Sequence, residues 1–394
     1  MKASKGSPDF LLLCLTLLMV GFGLVMVFSA SSSTAVSSAK FNYNALYFTE
    51  RQFIWAAMGT FVMFFVMNIP YVKFKKLFIP FFLLVVAMLV AVLFVGEVVN
   101  GAKSWFNIGP FGIQPTEFAK IAVILYLAAL ISKKGEKIRE FKRGLLPVLI
   151  IISFVAMLIM LQPDLGSCLI LVACSFIIIL AGGAHLKHLF MLGSGFAVVG
   201  AIFVSIYLLT HSGGADYRID RFTAFMDPWK DPLDTGYNLS MSLEAFGHGG
   251  LFGAGFGQGI QKLHYLPYAY NDFIFAVIGE EFGFIGTMLF LLFYLLLLWR
   301  ALIVTLRCPD IYGTLVGAGI VGLIGIQALI NIGGVTGSIP ITGVTLPFIS
   351  YGGSSLLITM FCMGILLSIS RESNKATATD HKRQHATSPA RVTG

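Results

Sequence analysis

Ten runs of mostly apolar residues, at approximately 9–29, 52–70, 77–96, 117–132, 145–161, 166–183, 188–209, 273–299, 311–333 and 346–369, constrain this chain more than anything else in it. About 20 apolar residues in helical form cross the hydrocarbon of a bilayer, and lipid offers an open backbone no water to bond with, so each run is expected to be a helix. Composition agrees: 57% of the 394 residues are hydrophobic and 12% are charged. The expected fold class is therefore an all-α polytopic membrane protein with about ten transmembrane helices. Residues 1–370 read as a single domain and 371–394, poor in large apolar side chains, as a disordered cytoplasmic tail.

The basic residues set the orientation. With the N-terminus in the cytoplasm, 19 of the 27 Lys and Arg fall in the inner loops and tail, among them Lys73, Lys75, Lys76 and the group from Lys133 to Arg143. This bias predicts an even number of spans with both termini cytoplasmic. The net charge of +8 is spent on short loops, which argues against a nucleic-acid partner. The five Cys lie in or beside apolar runs without paired spacing and read as small hydrophobes, not as disulfides or zinc ligands. The first apolar run is too long for a cleaved signal and reads as a span.

Three outer segments, 97–116, 210–272 and 334–345, are longer or more patterned than connections need, so the chemistry is expected on the outer face. In the largest, YNLSMSLEAFGHGGLFGAGFGQG is too polar and Gly-rich to span and is expected to form an interfacial or re-entrant element. Its six glycines between Gly249 and Gly259 point to close backbone packing, because no βαβ unit surrounds them to make a nucleotide loop.

Polar residues gather near the outer ends of the spans. Glu117 and Lys120, three apart at a helix start, can pair across a polar cavity, or Glu117 can simply complement the helix dipole behind Pro115. Asp164 can cap the helix that follows it, alone or while lining a site. Arg218 and Arg221 suit a phosphate, or pair with Asp216 and Asp220. The stretch YLPYAYNDFIFAVIGEEFG places three carboxylates at and inside an apolar helix, an arrangement that requires pairing, solvation or use. If the helix includes Asp272, Glu280 lies roughly 12 Å deeper and about 80° round the axis, close enough to border one cavity, while Glu281 faces away and needs a structural partner such as a basic residue on a neighbouring helix. Asp272 itself can be an N-cap or a general base at the membrane boundary.

These segments, NGAKSWFNIGPFGIQPTEFAK, QPDLG, YRIDR, DPWKDPLDTGYN, GGLFGAGFGQGIQK, YLPYAYNDFIFAVIGEE and INIGGVTGSIPITGVTLPFISYGGSS, run from the second outer loop to the last span. Together they resemble the SEDS family of cell-wall synthases (FtsW, RodA, SpoVE), with the FtsW and SpoVE branch the better match. The resemblance implies a peptidoglycan glycosyltransferase in the bacterial cytoplasmic membrane, multi-pass with its active site facing outwards, that polymerises lipid II. The catalytic aspartate of the family falls on Asp272, although Asn271 stands where Thr is usual and Tyr268 where Glu is common. An inverting displacement of undecaprenyl pyrophosphate needs one base, and cations for the leaving group: Arg218, Arg221 and Lys262 are the candidates, with a divalent cation (Mg or Mn) held by Asp272 and other acids as an addition. Trp105, Glu117, Lys120, Asp164, Glu280, Ser354 and Ser355 complete the expected substrate site, with Ser350 and Tyr351 beside the two serines. The resemblance also implies an undecaprenyl-linked glycan and a class B penicillin-binding protein transpeptidase as partners. A lipid II flippase is the rival reading, with the intramembrane acids as an ion path.

Overall fold

The structure is a computed structural model, and it describes residues 6–99, 102–108, 111–185, 187–188 and 225–387. Its helices are α1 (Phe10–Val36), α2 (Tyr47–Met67), α3 (Phe74–Val95), α4 (Pro115–Lys134), α5 (Leu146–Met160), α6 (Leu165–Ala181), α7 (Tyr237–Gly249), α8 (Ile274–Leu306), α9 (Ile311–Val335) and α10 (Gly353–Thr387). All the expected spans except 188–209, of which only residue 188 is described, coincide with one of these helices. The starts follow local chemistry. Asp9 caps α1 by accepting from the Leu12 amide at 3.0 Å, and Pro115 opens α4, where its missing N–H costs nothing.

Two boundaries differ from expectation. The last helix begins at Gly353 instead of near 346, because 346–352 is a hydrogen-bonded turn in which the Ser350 hydroxyl accepts from the Leu346 amide at 2.8 Å. It continues to Thr387, so helical backbone reaches into the stretch assigned to a disordered tail. The segment after α3 is also more regular than an irregular loop: β1 (Glu97–Val99), β2 (Ala102–Ile108) and β3 (Phe111–Ile113) form an antiparallel sheet in the order β1-β2-β3.

The core lies around α4 and α10, where 78% and 83% of the apolar window is buried, against 17% for α3. α3 therefore presents its apolar sides to lipid, while the central helices carry the polar residues that a membrane interior otherwise excludes. The alternating direction of the chain puts the sheet and the starts of α4, α6, α8 and α10 at one end of the bundle, with the end of α9. At the opposite end, the Arg300 guanidinium grips Asp9, with Nη2 at 2.8 Å from Oδ2, and Arg371 donates to the Gly6 carbonyl at 2.9 Å, tying the first and last helices together.

Across 33 residues, α8 would be about 50 Å long, more than a bilayer's hydrocarbon needs. It breaks at Gly283, whose φ of 65° and ψ of −169° belong to a region open essentially to glycine. The stretch after α7 fills the break. Ala254 and Gly255 donate to the carbonyls of Glu280 and Glu281 at 2.9 and 3.1 Å, and Phe284 and Ile285 donate to those of Gly250 and Leu251 at 2.9 and 3.1 Å. The backbone groups freed by the kink are thus bonded without water, the condition for irregular chain at membrane depth. Close approach explains the glycines here: at Gly253 a Cβ would lie 2.2 Å from the Glu281 carbonyl oxygen.

Candidate active site

Two residues one turn apart on α9, Gln327 and Asn331, organise the polar end of the bundle. The Gln327 side chain accepts from the Lys120 ammonium at 3.1 Å and donates to the Thr345 carbonyl at 3.1 Å and to the Ser355 hydroxyl at 3.4 Å. Lys120 pairs with Glu117 at 2.7 Å, and the two residues are 2% and 7% exposed, respectively. A charge pair this deep needs its remaining donors and acceptors satisfied, and the Gln327 amide supplies that bridge. The expected Glu117–Lys120 pair therefore exists and belongs to a chain that runs through Gln327 to Thr345 and Ser355.

The N-termini of α6 and α10 close onto this chain. The Asp164 carboxylate caps α6 by accepting from the Ser167 amide at 2.9 Å and also accepts from the Gln114 side chain at 3.4 Å. Ser354 donates to the Gly112 carbonyl at 2.9 Å and accepts from the Gln114 amide at 3.2 Å. Asp164 thus caps α6 and also holds the Gln114 side chain, and β3 is held to the start of α10. Trp105 lies on β2 opposite Glu97, half-buried, with the sheet packed against α3 and α4.

Asp272 stands just before α8, partly buried. The N-cap position is Phe273, not Asp272, so the helical extrapolation from Asp272 does not apply. The turn that presents it closes from the Asn271 amide to the Tyr268 carbonyl at 2.9 Å, with Tyr268 in the left-handed region at φ 56°. Its own carbonyl accepts from Asn331 at 2.7 Å, and the same amide nitrogen donates to the Val344 carbonyl at 2.7 Å.

Glu280 does not share a cavity with Asp272 as expected. Fully buried, it accepts from the amides of Ile260 at 2.7 Å and Gln261 at 3.1 Å, and it meets His248 Nδ1 at 2.9 Å. The pull is local: a carboxylate so close to a glycine loop finds backbone donors before it finds a ligand. Lys262 is likewise no open phosphate-binding cation. It is 4% exposed, and its ammonium meets Glu281 at 2.5 Å and the Ser29 hydroxyl at 2.8 Å. Glu281 does have the structural partner expected, although that partner lies in the loop before α8 and only Ser29 comes from a neighbouring helix. Arg218 and Arg221 lie outside the described residues.

The sequence reading did not single out an aromatic group beside Asp272. The Phe48 ring lies 4.4 Å from Tyr270 and 5.2 Å from Tyr351, and the Tyr351 amide donates to the Tyr270 carbonyl at 2.9 Å. Burial pushes the Tyr270 hydroxyl up to about 12, with Tyr351, Tyr268 and Asp272 adding to the effect. Arg51 stacks 4.3 Å from the Tyr47 ring and lies beside the Tyr351 hydroxyl. The signal in the sequence was an Arg at the outer edge of a span, next to Gln52, which anchors the Ser350 carbonyl at 3.1 Å. Among the described residues no three His, Cys, Asp or Glu side chains group as metal ligands do.

The comparisons with known proteins extend over nearly the whole chain. The family model of the FtsW/RodA/SpoVE group, described as "Cell cycle protein", matches residues 9–375. Stage V sporulation protein E of Bacillus subtilis is 45% identical over 379 residues, covering 95% of this chain and 100% of its own. The probable peptidoglycan glycosyltransferase FtsW of Trichlorobacter lovleyi is 42% identical, covering 92% of this chain and 93% of its own. Among solved structures, a chain from a peptidoglycan synthase complex that coordinates polymerization and crosslinking superposes with a TM-score of 0.76 at 30% identity, covering 93% of this chain and 98% of that one. The rod shape determining protein RodA of Thermus thermophilus superposes at 0.66 and 27% identity, covering 93% and 97%. With sequence and architecture both shared over this length, the chain belongs to the FtsW/RodA/SpoVE family of polytopic membrane proteins.

Proposed function

We propose that the protein is a peptidoglycan glycosyltransferase that polymerises lipid II at the outer face of the bacterial cytoplasmic membrane, with Asp272 as general base. In this reading the Asp272 carboxylate takes the proton from the 4-hydroxyl of the acceptor sugar as its oxygen attacks the anomeric carbon of the growing chain. The bond from that carbon to the pyrophosphate breaks, undecaprenyl pyrophosphate leaves with the electron pair, and the configuration inverts in one displacement. Arg218 and Arg221 are proposed to steady the leaving group, joined by Arg51, whose side chain is half-exposed beside Tyr351. Asp164 and Ser355, both partly buried, are proposed to orient the sugar and pyrophosphate, with Ser354 and the buried Glu117–Lys120 pair supporting them from within the bundle, and a divalent cation is a proposed addition.

The observation that carries this reading is the convergence of buried polar side chains from α4, α9 and α10 on one end of an otherwise apolar bundle, joined through Asn331 to the residue chosen as base. The relative named as a probable peptidoglycan glycosyltransferase supports the reaction, and the synthase complex supports a partner that crosslinks, proposed as a class B penicillin-binding protein.

The test is reconstitution of the full-length protein with that partner and labelled lipid II. Wild type is expected to form glycan polymer, and Asp272→Ala and Asp272→Asn essentially none. Normal polymer from a stably folded Asp272→Ala protein would sink the proposed role. Lipid II crossing sealed vesicles at a rate independent of Asp272, with no polymer formed, would favour the flippase.

A further inference from the structure

We infer that Asn331 is a positioning residue for the reaction, acting through the main chain of Asp272; the inference rests on the reading of Asp272 as base. Asn331 is 3% exposed on α9, and its amide nitrogen donates to two carbonyls, those of Asp272 and Val344, at 2.7 Å each. Both neighbours are acceptors, so the orientation of the amide is not open: nitrogen must face them. Its Oδ1 is left buried without a hydrogen-bond partner.

The Asp272 carbonyl makes that contact matter. In α8, which begins at Ile274, the Ala276 and Val277 amides bond back to the Phe273 carbonyl, so the peptide after Asp272 lies outside the helical ladder. Asn331 supplies the hydrogen bond that fixes its rotation, and with it the direction of the Asp272 Cα–Cβ bond. The second bond reaches Val344, adjacent to Thr345, which Gln327 holds one turn down α9. A single helix face therefore sets the base and the loop that leads to Ser355 at one spacing. Reacting groups tolerate little error in such a spacing, since a displacement of about 1 Å can cost on the order of a hundredfold in rate.

The test compares full-length wild type, Asn331→Ala, Asn331→Ser and Asp272→Ala in liposomes with the partner transpeptidase and labelled lipid II, with thermal unfolding followed in parallel. For Asn331→Ala, kcat is expected to fall about tenfold or more while KM for lipid II stays near wild type, with a modest drop in melting temperature from the two carbonyls that lose their donor. Asn331→Ser keeps one donor and is expected to recover part of kcat, and it carries the test if the Ala protein does not fold. Wild-type kcat in either folded Asn331 variant overturns the inference, as does a loss in which KM and melting temperature move together and Ser restores nothing. Normal polymer from Asp272→Ala instead overturns the reading of Asp272 as base, so the two failures are told apart.

Discussion

The Lys262 ammonium and the Glu281 carboxylate form a 2.5 Å ion pair with side chains 5% and 0% exposed, joining the glycine loop to α8 beside Ser29. In so dry a place the pair contributes little net stability as a pair, yet either partner alone is costly. Lys262→Ala is therefore expected to destabilise the protein by about 3–5 kcal/mol, and the double change Lys262→Met with Glu281→Leu by much less. Thermal unfolding of purified protein in detergent checks both. Equal melting of the single and double variants would mean that Lys262 and Glu281 do not depend on each other for burial.

The kink in α8 makes a second, sharper demand. A Cβ on Gly283 would lie 2.2 Å from the Gly253 amide nitrogen, in a backbone conformation that L residues avoid. Gly283→Ala should prevent the glycine loop from docking and abolish both stable folding and polymer formation. Gly257→Ala, also at positive φ but in open space, is expected to cost only about 1–2 kcal/mol. Expression level and melting temperature of the two proteins separate these outcomes.

Gln327 offers a graded test of the buried polar chain. Gln327→Leu removes the contacts to Lys120, Thr345 and Ser355 together, whereas Thr345→Val leaves the Gln327 bond to the Thr345 carbonyl in place. Polymerisation in liposomes is expected to fall about tenfold or more with Gln327→Leu and severalfold at most with Thr345→Val, since removing one partner of a buried ammonium together with the bonds to Thr345 and Ser355 costs more than losing one hydroxyl. Equal effects would mean that the chain does not act as a unit.

The Tyr270 hydroxyl, held up to about 12 by burial and by its neighbours, gives a stability signature at alkaline pH. Unfolded tyrosine releases its proton near pH 10, so above that the folded state binds more protons than the unfolded one, and stability falls as pH rises toward 12. Below pH 10 this group contributes no slope. Melting temperatures between pH 8 and 11 should decline less steeply for Tyr270→Phe than for wild type.

What the amino-acid sequence determined is the part governed by local and solvent chemistry. Runs of apolar residues leave lipid-embedded backbone no option but helix, so nine of the expected spans coincide with helices among the described residues. Spacing of three put Glu117 and Lys120 on one face, where they pair, and Asp164 caps the helix that follows it. What only the tertiary structure decided is the fate of polar groups with several partners within reach. Nothing local chooses a partner for Lys262 or Glu280; the kink at Gly283 docks the loop that carries Lys262 against α8, and desolvation then commits each side chain to the partner at hand. The same holds for Asn331 and Gln327, which as single polar residues in an apolar run showed no sign of what they bridge. Hydrogen bonds between residues 59 apart, such as Asn331 to Asp272, have no period or motif to announce them. The stretch around Asp272 thus owes its helix to its own sequence and its aim to a neighbouring one.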